Sequence, residues 1–173
     1  FLDLKIHDIP QTVKKTIDTL SSLKPDILNV HALGGKKMMQ YALESLSNNS
    51  PYTQLVAVTI LTSLDNDDLQ MMKIDISTKD LVSSLAKLTK ESGLSGVVCS
   101  SEEIKLVREA CGKNFKIIVP GIRPEGSDKN DQKRIMTPKE AISLGADHLV
   151  IGRPITESKD PRKTAKEIVN SIR

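Results

Sequence analysis

A chain of 173 residues is long enough for one domain with a sizeable core; with aromatics at 2% and no Trp, that core must be aliphatic. Lys+Arg total 25 against Asp+Glu 22, a net charge of +3, and the two signs are interspersed, which argues against nucleic acid as a partner. No apolar run approaches a membrane span, and the expectation is a soluble, cytoplasmic chain without a secretory leader, with Cys99 and Cys111 as lone reduced thiols.

In chain order, β-branched apolar runs alternate with helical periodicity from end to end. Residues 1–5 read as a strand and 10–23 as a helix with Pro10 in its first turn. A strand over 26–31 leads through His31-Ala32-Leu33-Gly34-Gly35 into a helix over 35–47, where Met38 and Met39 read as packing residues. A strand over 54–61 ends at Thr62-Ser63, and a short helical turn over 67–72 places Met71 and Met72 as further packing residues. The helix over 78–92 opens on Thr78-Lys79-Asp80 and stops at Gly93; a strand over 96–100 and a helix over 102–111 end at Gly112. A strand over 116–120 runs into a long polar connection, Pro120-Gly121-Ile122-Arg123-Pro124 through Gln132, of the kind that serves as a lid or binding loop. Thr137-Pro138-Lys139-Glu140 opens a helix over 138–144 that stops at Gly145, a strand covers 148–152, and a last helix runs near 161–172.

Strict β-α alternation with short connections predicts a parallel sheet with right-handed crossovers. Polar residues and glycines gather after the strands, where a (β/α)8 barrel keeps its active site. A doubly wound sheet does the same, but no early Gly-x-Gly-x-x-Gly turn is present, which favours the barrel. Six strand candidates against eight imply that two βα units precede Phe1, so that residues 1–173 form one domain, the C-terminal three-quarters of a barrel.

Two groups of residues carry the chemistry. In Asp3-Leu4-Lys5-Ile6-His7-Asp8, period-2 geometry projects Asp3 and Lys5 to the same face at the carboxyl end of the first strand. If that face is buried, an unlike pair there is costly and points to a working site. The structural alternative is a solvated pair on an edge strand, with Asp8 capping the helix at 10–23. In Val150-Ile151-Gly152-Arg153-Pro154, a glycine before a helix start suits an anion, and Arg153 adds a fork for phosphate. Arg123 and Gln132 are candidates for the same anion. His7, His31 and His148 lack a second ligand at metal-binding spacing and read as packing or hydrogen-bonding residues.

The run Asp3-Leu4-Lys5-Ile6-His7-Asp8-Ile9-Pro10-Gln11-Thr12 closely resembles the signature of the orotidine 5′-phosphate decarboxylase family. Val58-Thr59-Ile60-Leu61-Thr62-Ser63, the Pro120–Pro124 segment with Gln132, and Leu149–Pro154 resemble further motifs of that family, in family order. The resemblance implies a homodimeric (β/α)8 barrel that converts orotidine monophosphate to uridine monophosphate and CO2 without metal or organic cofactor. It also implies Asp3 against the substrate carboxylate, Lys5 as proton donor to the pyrimidine carbon, and Asp8 reaching the neighbouring subunit's active site. Ile9, Thr12 and Thr62 would contact substrate, and Arg123, Gln132, Gly152 and Arg153 would surround the phosphate. The family's first Lys and first Asp would lie ahead of Phe1. A sister group of Mg²⁺-dependent sugar-phosphate decarboxylases and aldolases shares Asp-x-Lys-x-x-Asp; His7 and Ile9-Pro10 fit the orotidine branch better. A non-catalytic remnant is the remaining alternative.

Overall fold

In a computed structural model, which describes residues 1–124 and 136–172, six parallel strands run side by side in chain order. They are β1 (Leu2–Ile6), β2 (Ile27–His31), β3 (Gln54–Val58), β4 (Gly96–Val98), β5 (Lys116–Val119) and β6 (His148–Leu149). Helices α1 (Pro10–Leu20), α2 (Gly35–Asn49), α3 (Asn66–Met71), α4 (Thr78–Glu91), α5 (Ile104–Cys111), α6 (Pro138–Ser143), α7 (Arg153–Thr156) and α8 (Pro161–Ser171) fill the connections. The strand order confirms the parallel wall expected from the alternation, with the segments at the two ends of the series at the two ends of the sheet.

Strand alternation divides the apolar residues between two faces. Leu28, Val30, Leu55, Ala57, Val97, Ile117 and Val119 join the main core beneath the helices. Val56, Val58, Val98 and Ile118 form a smaller cluster on the inner face, with Ile27 and Val150 packed against it. On the helix side, Val13 and Ile17 are four residues apart on α1, and Met38, Met39, Ala42 and Leu46 line one stripe of α2; all lie in the main core.

Several boundaries differ from the sequence reading, each for a local reason. The helix expected over 10–23 becomes a 3-10 turn at Ser21–Leu23 and ends where Lys24 adopts a left-handed conformation (φ 48°). The strand expected to reach 61 stops at Val58; beyond it, Thr59 directs both its N–H and its hydroxyl onto the Val98 carbonyl, each at 3.1 Å. The helix starting at Thr78 is capped by Ser77, whose Oγ accepts the Asp80 N–H. The capping box at Thr137 and Glu140 is present as expected, and Gly93, Gly112 and Gly145 follow their helices with positive φ. Met38 and Met39 are fully buried, but Met71 and Met72 are 74% and 50% exposed. The packing role expected of that second pair is wrong, because α3 is six residues long and buries only Leu69.

Candidate active site

The charged segment lies at the carboxyl end of β1, and its geometry depends on an irregularity. Between Leu2, opposite Leu28, and Ile6, opposite Val30, β1 advances four residues while β2 advances two. The excess is absorbed in a bulge at which Lys5 takes φ 52°. A left-handed conformation costs a non-glycine residue roughly 1–2 kcal/mol. Lys5 is compensated there by a hydrogen bond from its N–H to Asn29 Oδ1, at 2.7 Å.

Past this bend the lysine side chain returns to Asp3, its Nζ lying 2.8 Å from both carboxylate oxygens. The two residues meet as the sequence predicts, although the bulge, not regular strand alternation, brings them together. Their side chains are 41% and 39% exposed. Among the described strands, β1 pairs with β2 alone. Asn29 Nδ2 also donates to Asp3 Oδ1, at 2.5 Å, so the buried carboxamide grips the pair at two points.

Asp8 lies three residues beyond Lys5 and is exposed; its Oδ1 accepts the Ile9 N–H at 2.6 Å. It does not cap α1, whose N-cap is Ile9 with no side-chain cap hydrogen bond. Ile9 is 67% exposed, and Thr12 is exposed on the first turn of α1. Thr62 is half-buried in the turn after β3.

At the carboxyl end of β2, His31 stacks on His7 with ring centroids 5.3 Å apart and planes 24° apart. This bears out the packing role read for those two histidines. Burial, with smaller electrostatic contributions from His7 and Lys5, lowers the His31 pKa.

At the other end of the sheet, Arg123 follows β5 and Arg153 follows β6, on adjacent strands. Arg123 is 6% exposed; its Nη1 donates to the Ile122 carbonyl at 3.0 Å, and its Nε has no hydrogen-bond partner among the described residues. Its backbone is anchored by Arg123 N–H to Met136 O, 3.0 Å, beside the Ile122–Met136 bridge. Gly152 precedes α7 and is exposed; a Cβ added to it meets no atom within 4 Å. The glycine is therefore not needed for packing against the protein, and the space before it is open. Gln132 lies outside the described residues.

The sequence reading overlooked Asn29. Its signal was available: a carboxamide in the middle of Ile-Leu-Asn-Val-His, where a buried parallel strand is ordinarily apolar throughout.

Parallel strands paired in chain order from β1 to β6, with helical crossovers and polar side chains at their carboxyl ends, are the arrangement of an α/β-barrel wall. Sequence comparison narrows the class: the profile of the Orotidine 5'-phosphate decarboxylase / HUMPS family matches residues 1–168, and the chain belongs to that family. A crystal structure of orotidine 5'-phosphate decarboxylase from Lactobacillus acidophilus matches at TM-score 0.88 and 38% identity, covering 99% of this chain and 74% of that one. An uncharacterized conserved protein from Geobacillus kaustophilus matches at TM-score 0.86 and 38% identity, over 100% of this chain and 75% of the other. Orotidine 5'-phosphate decarboxylase from Pyrococcus horikoshii OT3, at 24% identity, TM-score 0.74 and coverage of 98% and 72%, shares the fold. The six-stranded wall is thus part of a (β/α)8 barrel, as the sequence reading expected.

Proposed function

We propose that this protein decarboxylates orotidine 5′-monophosphate to uridine 5′-monophosphate in pyrimidine nucleotide synthesis, as a cytoplasmic homodimer whose residues 1–173 belong to one barrel domain. The observation that carries this reading is the Lys5 ammonium held on both oxygens of Asp3 at the end of β1, in a member of this family.

The chemistry follows from those two groups. The bond between the pyrimidine ring and its carboxylate breaks, CO2 leaves, and the electron pair stays on the ring carbon. That carbanion is a very strong base. A fixed ammonium stabilises the charge as it develops and supplies the proton that quenches it; water then returns a proton to Lys5. Asp3, placed against the substrate carboxylate, repels it more than it repels the charge-dispersed transition state. Arg123, Gln132, Gly152 and Arg153 bind the phosphate, and the energy of that remote contact holds the ring in place for the reaction. Thr62 meets the pyrimidine. Asp8, Ile9 and Thr12 complete the partner subunit's site across the dimer.

The direct assay is loss of orotidine monophosphate absorbance in the presence of a chelator. Chelator-resistant turnover by the full-length protein is the expected result. Turnover of a sugar phosphate that requires Mg²⁺, with none of the nucleotide, would assign the protein to the other branch. No nucleotide binding at all would leave it a non-catalytic member.

A further inference from the structure

We propose that Asn29 is the positioning residue for Lys5 and Asp3, a role that rests on the decarboxylase reading above. Asn29 sits in the middle of β2 and is completely buried. Its neighbours in the strand, Leu28 and Val30, are also completely buried. A buried carboxamide costs free energy unless both of its ends are satisfied. Both ends are used here, and both are used on the charged pair. Oδ1 accepts the N–H of Lys5, the residue held at φ 52°, and Nδ2 donates to Asp3 Oδ1.

The two contacts have separate consequences. The first compensates the left-handed bend in the backbone that turns the lysine side chain back along β1. The second fixes the rotation of the Asp3 carboxylate, so that both of its oxygens face the ammonium at 2.8 Å. Without Asn29, the Lys5 bend loses the acceptor that compensates it and the Asp3 carboxylate loses the donor that fixes its rotation. Asn29 acts through these neighbours: it sets where the Lys5 proton points and has no contact of its own with the reacting atoms.

The test uses Asn29→Ala and Asn29→Asp in the full-length protein. Turnover of orotidine monophosphate is measured from pH 5.5 to 8, uridine monophosphate affinity by calorimetry, and Lys5 geometry by crystallography. In Asn29→Ala, kcat is expected to fall at least 30-fold while product affinity stays within threefold. The variant's Lys5 should leave the positive-φ region, and its Nζ should part from Asp3. At pH 8, Asn29→Asp places a carboxylate against Asp3 and should be as poor as the Ala variant. At pH 5.5 a proton shared between the two carboxyl groups restores a donor to Asp3, while the other oxygen still accepts the Lys5 N–H. Its kcat relative to the parent should therefore rise at least tenfold from pH 8 to 5.5, a recovery that a purely structural role would not produce. Because Asn29→Asp is nearly isosteric, it keeps the test open if Asn29→Ala fails to fold.

A kcat within threefold of the parent, product affinity lost in step with kcat, or an Asn29→Asp profile parallel to the parent's would each overturn the proposal. A parent protein that binds the nucleotide without turning it over defeats the decarboxylase reading instead. The crystal structure of Asn29→Ala then decides the positioning role by itself, and Lys5 unmoved on Asp3 refutes it.

Discussion

Lys5 combines three features that are individually uncommon: a positive φ on a non-glycine residue, a bulge in a parallel strand, and a bidentate contact to a carboxylate. Strain of this kind persists only where its surroundings over-determine it, and it concentrates at working sites. The sequence showed that Asp3 and Lys5 would meet, but on the premise of regular strand alternation, which the bulge at Lys5 breaks. It did not show how, because the residue that settles the geometry, Asn29, is 24 positions from Lys5 and on another strand. Two substitutions separate the roles proposed for the two ends of the site. Lys5→Ala should lower kcat by about 10²–10⁴-fold or more, the range of a lost proton donor, with uridine monophosphate affinity nearly unchanged. Arg153→Ala should weaken uridine monophosphate binding by roughly 1.5–3 kcal/mol, the range for a hydrogen bond to a charged group. Calorimetry finding equal affinity for Arg153→Ala and the parent would remove Arg153 from the phosphate site.

Secondary-structure elements were legible wherever a local rule decides them. The capping box at Thr137 and the glycines after α4, α5 and α6 depend on a few neighbouring residues, and they stand where the sequence placed them. Contacts between elements were not legible. Arg108 on α5 donates to Gly145 O and to Asp147 Oδ2, while Lys116 and the Ile117 N–H at the start of β5 bind the same carboxylate. One acid thus joins α5, β5 and the approach to β6. Burial raises the pKa of Asp147, but the Ile117 N–H, Arg108 and Lys116 outweigh it and hold the carboxyl below its ordinary value. A carboxyl whose pKa is depressed by folding contributes stability that is complete above the unfolded value, near 3.9, and is lost as pH falls through the folded value. Asp147→Asn should therefore destabilise the fold by about 2–4 kcal/mol at pH 7, since it leaves Arg108 partly buried without its counter-charge. The gap between variant and parent should narrow steadily below pH 4. Urea unfolding at pH 7, 4 and 3 measures it, and a gap that does not change with pH would show that Asp147 acts through packing alone.

At the scale of the whole molecule, the two halves of the candidate site lie at opposite ends of the strand order. Asp3 and Lys5 are on β1, and Arg153 follows β6. Four strands separate them, and among the described residues the inner face between carries the small cluster of Val56, Val58, Val98 and Ile118, with Ile27 and Val150 packed against it. The protein core lies mainly on the other side, under the helices. A nucleotide whose phosphate binds beyond β6 and whose base reaches Lys5 would therefore span the carboxyl ends of the strands from β6 to β1. Binding to the folded state alone adds about 2.7 kcal/mol of stability at a ligand concentration 100 times Kd. For a chain of this size that corresponds to a rise in Tm of roughly 5–10 °C. The distribution of the effect is more telling than its size. Uridine monophosphate should slow amide exchange in both β1 and β6, and Arg153→Ala should reduce the protection at both, including β1, where no residue has been changed. Protection confined to β6 and α7 would mean that an anion binds there without engaging Lys5, and the reading of one continuous site from β1 to β6 would then fail.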